Sequence, residues 1–294
     1  MYYIRTWFEG TYTLRIAEDF LDLFVKIFPY LVASILLNAL VARFVQTKKL
    51  FLTSKSELIS IASSAMIGIV SPLPTYAAIP IGLSMMPLGI PFSAVIAFIL
   101  SSPLMNPTIF FLTATRIGIG MAVARAISAF LVAVAGGLLA SKVFTSLYVP
   151  KDVQKVEQAD HPRPLWTDLW RNARYVGKYF CISMLLSAAV KALIPPETIA
   201  HLLGGNTKVS TLVAIGMGVP FYTCGGSAIP FMETLMDLGM SKGAMLAFFI
   251  AGPATKLETL YAYKTMLGGK VLLFYLALTL SFAYVAGMIS SLLF

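Results

Sequence analysis

A chain of 294 residues that is 58% hydrophobic and only 12% charged has too much apolar surface for one aqueous core, since soluble domains carry about 25% charged residues. Its natural solvent is lipid. The net charge of +9 reads as membrane-flanking Lys and Arg that set orientation and meet anionic headgroups, which excludes nucleic acid as a partner.

Residues 1–17 mix polar and aromatic side chains and lack a positive stretch ahead of an apolar core. They read as an amphipathic lead-in on the membrane surface, not a cleaved signal peptide. Apolar segments follow at 20–44, 58–87, 91–115 and 120–142. A polar linker at 148–166 separates them from a second set at 175–194, 209–238, 241–263 and 271–294. A 30 Å hydrocarbon core takes about 20 residues of helix. A lipid-exposed backbone must satisfy its own hydrogen bonds, and the long Leu, Ala and Ile runs lack barrel alternation. The expectation is an all-α polytopic membrane protein of about eight hydrophobic segments.

The two sets repeat. Shifting the segment that begins at Gly68 by 150 positions lays it on the segment that begins at Gly218. Ala78-Ile79-Pro80 then falls on Ala228-Ile229-Pro230, Gly89 on Gly239 and Pro103 on Pro253. The expected organisation is a first membrane repeat at 18–147 and a second at 167–294. In each repeat the second segment is cut near its middle, at 71–74 and at 219–226, leaving arms too short to cross. If those segments are re-entrant, each half crosses three times and the repeats are inverted. The distribution of Lys and Arg favours that arrangement, with Arg116 and Arg125 among the cations of the outer side.

A helix break frees backbone groups that lipid cannot satisfy, so breaks at matching places in two repeats point to a polar site near the midplane. The first break offers Ser71, Thr75 and Tyr76. The second offers Thr223, Cys224, Gly225, Gly226 and Ser227, where paired glycines let the backbone approach a ligand and a helix N-terminus favours an anion or polar oxygen. A second pair of breaks surrounds Pro103 and Pro253, with Asn106 and Lys256 at equivalent positions. A mid-segment Lys costs about 2.5–3.5 kcal/mol on insertion scales, so Lys256 is expected to face the bundle interior. Its candidate partners are Glu258 and Glu233, and it either binds substrate, couples protons or caps freed carbonyls. Glu233 is the better candidate for proton coupling.

Cys224 lies beside flexible glycines and a helix N-terminus, which favours a thiolate and hence a soft, thiophilic ligand. Cys181 is a candidate second sulfur, and a buried inert thiol is the plainer reading of each. With no nucleotide-binding loop, no Ser/His/Asp arrangement and no HExxH, the sequence predicts no catalytic residue, no metal site and no cofactor.

The blocks GVPFYTCGGSAIPFM and AFFIAGPATKLETL, with AFILSSPLMNPTIF in the first repeat, resemble the signature blocks of the predicted-permease family that includes the trivalent organoarsenical efflux permeases (ArsP-type). The resemblance implies an inner-membrane, multi-pass permease of about eight segments. It also implies export of trivalent organoarsenicals, with Cys224 in the position of the motif cysteine. Many relatives carry cysteines in the first-repeat break, whereas this chain reads SPLPTYAAIP there. The expected function is therefore a secondary efflux transporter of a small thiophilic solute working by alternating access. The expected partners are the solute and the bilayer, with a homodimer also considered. The alternatives are transport of a metal ion, anion or lipid-linked compound, or a non-transporting membrane scaffold or subunit.

Overall fold

The computed structural model describes residues 56–71, 73, 75–86, 89–144, 195–205, 208–218 and 228–293, with scattered positions between 16 and 32 and between 174 and 193. The lead-in, the linker and the first segment of each half lie wholly or largely outside them. The described residues are helical and contain no strand.

The second segment breaks where proline predicts. Helix α1 (Glu57–Val70) ends at Ser71, whose N–H donates to the Ile67 and Gly68 carbonyls at 2.8 and 3.2 Å. Helix α2 (Thr75–Ser84) begins four residues later. At 1.5 Å per residue the arms are about 21 and 15 Å long, short of a 30 Å core.

Their neighbours show that the arms form a hairpin. Ser93 Oγ donates to Glu57 Oε1 at 2.8 Å at the start of α1, and Gly68 near its end lies against Phe98 and Ser101. So α1 runs parallel to α3 (Phe92–Leu104). Ser102 Oγ donates to the Leu73 carbonyl at 2.9 Å, while Gly82 faces Val95 and Ile99. So α2 runs back antiparallel to α3, and the segment is re-entrant. Helix α4 (Pro107–Arg116) continues α3 after Met105 and Asn106, giving an apolar span over Phe92–Arg116. The hairpin tip, beside Ser101 and Ser102, lies close to the middle of that span. Helix α5 (Ile119–Val143) then returns across the membrane.

In the second half, after its largely undescribed first segment, come α6 (Pro196–Ile199) and a π turn at Ala200–Gly204. It then repeats the first as α7 (Lys208–Gly218), α8 (Ile229–Asp237), α9 (Lys242–Thr255) and α10 (Leu257–Ala262), the last running into a π turn at Tyr263–Leu267. Helix α11 (Gly269–Leu293) has the bounds of α5 shifted by 150. The left-handed glycines recur at the same offset: Gly89 (φ 88°) with Gly239 (99°), and Gly118 (135°) with Gly268 (86°). Only a residue without Cβ adopts such angles at no steric cost, so these four mark the same turns in both repeats.

The repeats are inverted. Phe144, just past the end of α5, packs on Phe274 near the start of α11, with ring centroids 5.5 Å apart. Gly136 meets Leu278, and the first turns of α5 share a cavity wall with the last turns of α11. These equivalent helices, both of spanning length, run antiparallel, so the pseudo-twofold axis lies in the membrane plane. The two hairpins therefore enter from opposite sides.

The halves also interlock. One apolar core joins residues of α7–α9 to α4, the first half of α5 and the end of α11. The other joins α1–α3 and the end of α5 to the Tyr263–Leu267 turn and the first half of α11. Lipid supplies no hydrophobic drive between helices, so close packing must hold them together, and small residues make the approach possible. Gly68 lies on Ser101 and the Phe98 carbonyl, Gly218 on Gly252, and a Cβ on Gly243 would stand 2.5 Å from the Gly287 carbonyl. Three described helices, Phe92–Arg116, Ile119–Val143 and Gly269–Ser291, are long and apolar enough to cross a membrane. The molecule is an all-α membrane protein.

Inverted hairpins place Leu58 and Lys208, equivalent exposed residues at the starts of α1 and α7, on opposite faces of the membrane. Single cysteines there, with Cys181 and Cys224 changed to Ser, are expected to react with an impermeant maleimide from opposite sides. Labelling of both from one side would contradict the fold.

Candidate functional site at the helix breaks

At the first tip the Ser71 side chain is fully buried, and its hydroxyl has no hydrogen-bond partner among the described residues. An unsatisfied buried polar group costs about 1–3 kcal/mol. The freed carbonyl of Leu73 is taken by Ser102. In the second repeat Thr255 Oγ1 plays the matching part. It donates within reach of Gly218 O at the end of α7 (3.4 Å) and of Ala251 O in its own helix (3.0 Å). Each repeat thus uses a hydroxyl on its crossing helix to hold the end of its hairpin arm.

Asn106 and Lys256 occupy equivalent junctions with different consequences. Asn106 is the N-cap of α4, its Oδ1 accepting from Ile109 N–H at 2.8 Å. Lys256 stands half-buried where α9 ends and α10 begins. A cation is favoured by the negative end of α9 and disfavoured by the positive end of α10. Thr75 is the first residue of α2 and Glu258 lies in α10. Thr223, Cys224, Gly225, Gly226 and Ser227 lie outside the described residues, between the end of α7 and the start of α8. Cys181 is exposed.

Glu233, a candidate partner of Lys256 in the sequence, has its carboxylate engaged by Arg116. The guanidinium grips it from two nitrogens, Nη2 to Oε1 at 2.6 Å and Nε to Oε2 at 3.2 Å, with both side chains mostly buried. The geometric reason is that α8 packs on α4 of the opposite repeat, so Glu233 meets the last residue of that helix. Arg125 was counted among surface cations of the outer side. It is instead buried to 3% exposure, donates to Thr113 Oγ1 at 2.8 Å and lies 3.8 Å over the Phe249 ring. Cation–π contact with a desolvated guanidinium contributes about 2 kcal/mol, which helps hold the charge inside the bundle.

Both arginines have apolar or aromatic twins that the sequence displays. Arg116 and Glu233 correspond to Met266 and Leu83, which belong to the other core. Thr113 and Arg125 correspond to Tyr263 and Tyr275, which stack at 4.0 Å with both hydroxyls buried and without a hydrogen-bond partner among the described residues. The 150-residue offset carried this signal, and tabulating every mismatched pair along it finds Arg116 and Arg125.

Inverted repeats with helices broken in matching places define a membrane permease scaffold. The profile of a family described as a predicted permease matches residues 14–292, and the chain belongs to that family. It is 23% identical over 257 residues to UPF0718 protein YcgR of Bacillus subtilis, covering 84% of this chain and 87% of that one. It is 32% identical over 112 residues to UPF0718 protein MJ0584 of Methanocaldococcus jannaschii, covering 38% of this chain and 31% of that one. No solved structure matches.

Replacing the inter-repeat pair by its twins, Arg116→Met with Glu233→Leu, is expected to leave thermal stability at or above wild type. Either single change should cost about 1–3 kcal/mol by breaking this charged hydrogen-bonded pair. Thermal unfolding of the four proteins in detergent checks this, and a double variant weaker than both singles would contradict it. Removing an orphaned hydroxyl, Tyr263→Phe or Tyr275→Phe, is expected to leave the melting temperature unchanged or raised. A fall of several degrees would show that the hydroxyls are engaged.

Proposed function

We propose that the protein is a secondary efflux permease of the inner membrane that exports a small thiophilic solute, a trivalent organoarsenical being the favoured substrate. The observation that carries the reading is the pair of opposed hairpins. Their helix ends face the bundle interior near the midplane, and a buried hydroxyl there, that of Ser71, has no hydrogen-bond partner among the described residues. Half-helix ends offer partial charges to a solute without a full ion in the membrane. The second hairpin's connection carries Cys224 where the first carries Pro74. A thiol at that place is a soft ligand for a metalloid, and the signature blocks resemble those of organoarsenical exporters.

In this reading Cys224 takes the metalloid. Ser71, Thr75, Thr223, Ser227 and the glycine amides at Gly225 and Gly226 take its oxygens. Asn106, Lys256 and Glu258 shape the polar wall. The Arg116–Glu233 pair joins the two repeats. Protonation of Glu233 would release Arg116 and free α8 from α4, which ties a proton to the movement of one repeat against the other.

Expression in an arsenical-sensitive host tests the assignment. Wild type is expected to raise resistance to a trivalent organoarsenical, and Cys224→Ser to abolish it at equal membrane abundance. No protection by wild type would sink the arsenical assignment, and retained protection in the variant would sink the thiol's role.

A further inference from the structure

The crossing of α5 and α11 contains a cavity of about 540 Å³, lined by the first turns of α5, the last turns of α11 and Leu246 of α9. Its rim is apolar and outward-facing, with Ile119, Ile127 and Ile289 each more than half exposed. Among the described residues nothing covers that side, and an uncovered apolar face of a membrane protein meets hydrocarbon. The pseudo-twofold axis supplies an internal control, because each residue of this cavity has an equivalent on the opposite side of the crossing.

The equivalent place is filled. Ala124 corresponds to Phe274 and Ser128 to Leu278. Phe274 is covered edge-on by Phe144, and Phe144 in turn by Phe92. Leu278 and Leu100 press so closely on Gly136 that any Cβ there would collide with them. The twin of Gly136 on the open side is Ala286, a cavity wall. One backbone frame thus carries bulky side chains on one side and a hollow on the other. The hollow is made by small residues at the two positions where its twin carries a phenyl ring and an isobutyl group.

Its dimensions and polarity have a direction. From Ile119 to Leu131 it follows α5 for twelve residues, about 18 Å at 1.5 Å per residue, a little over half of a 30 Å hydrocarbon core. That is the depth of one leaflet. Apart from Gly120 and Ser128, its walls are aliphatic and aromatic along this length. At its interfacial end stands Ser290, 4% exposed, its hydroxyl buried and without a hydrogen-bond partner among the described residues. The equivalent position on the filled side is Ala140.

We infer that this groove holds one acyl chain of a bilayer phospholipid. The tail runs from Ile119 and Ile289 inward to Leu131 and Phe282, and the ester carbonyl accepts from Ser290. A single chain seated there would cover the interface between the two longest helices of opposite repeats, the surfaces that slide if the repeats move.

Proteoliposomes containing a phospholipid with a photoactivatable diazirine in its acyl chain test this. Adducts mapped by mass spectrometry are expected to concentrate several-fold on Val123, Ile127, Val285 and Ile289 relative to their equivalents Leu273, Ala277, Ala135 and Leu139. Equal labelling of the two faces would overturn the inference. So would a groove free of adducts whose Ile127→Cys variant forms disulfide-linked dimers, since a second copy would then cover it. Ala124→Phe with Ser128→Leu installs the protein's own plug and is expected to abolish the enrichment without lowering the melting temperature. Ser290→Ala is expected to weaken retention of co-purified phospholipid. Persistent enrichment in the plugged variant would overturn the assignment, and the wild-type comparison of the two faces decides it independently of how that variant folds.

Discussion

A helix that stops halfway across a bilayer leaves backbone N–H and C=O groups where no water can reach them. Everything else in this molecule follows from having two such helices. The tip after α1 is held by Ser102, whose hydroxyl takes the Leu73 carbonyl. The end of α7 is approached by Thr255, and the break before α4 is closed by Asn106. Such bonds need the hairpin pressed against the crossing helix, which is why Gly68 and Gly218 occupy the contact. They also need protein on the other side, and the opposite repeat supplies it. The interlocked cores are the solution to a hydrogen-bonding problem.

The frame is symmetric and its chemistry is not. Arg116 and Arg125 belong to the first repeat and Glu233 to the second, yet all three gather around the same core, the one built on α7–α9. The other core has Met266, Tyr275 and Leu83 at those places. These three charges are therefore segregated by core, to which both repeats contribute, and not by repeat. The hollow between α5 and α11 obeys the same rule, with its filled twin on the opposite side of the crossing.

Much of this was legible in the sequence because gross physics wrote it. Composition specified the solvent, the 150-residue offset specified the repeat, and Pro and Gly specified the breaks to within a residue or two. The direction of the repeat was harder, since the cation distribution leaned only slightly toward inversion. The side-chain pairings were the least legible. A carboxylate such as Glu233 can be listed from sequence, but its partner depends on which helices cross, and α8 meets α4 only because the repeats interlock. Arg125 was misplaced for a related reason: a charge near a helix start reads as interfacial, and nothing local reveals an aromatic ring from another repeat beneath it.

The central claim is that the two breaks form one site that each side of the membrane reaches in turn. A single cysteine at Ser71, with Cys181 and Cys224 changed to Ser, tests it most directly. A small impermeant thiol reagent is expected to modify this cysteine when applied from the face carrying Leu58, and also from the face carrying Lys208. Modification from one face only, or from neither, would contradict alternating access through the helix breaks.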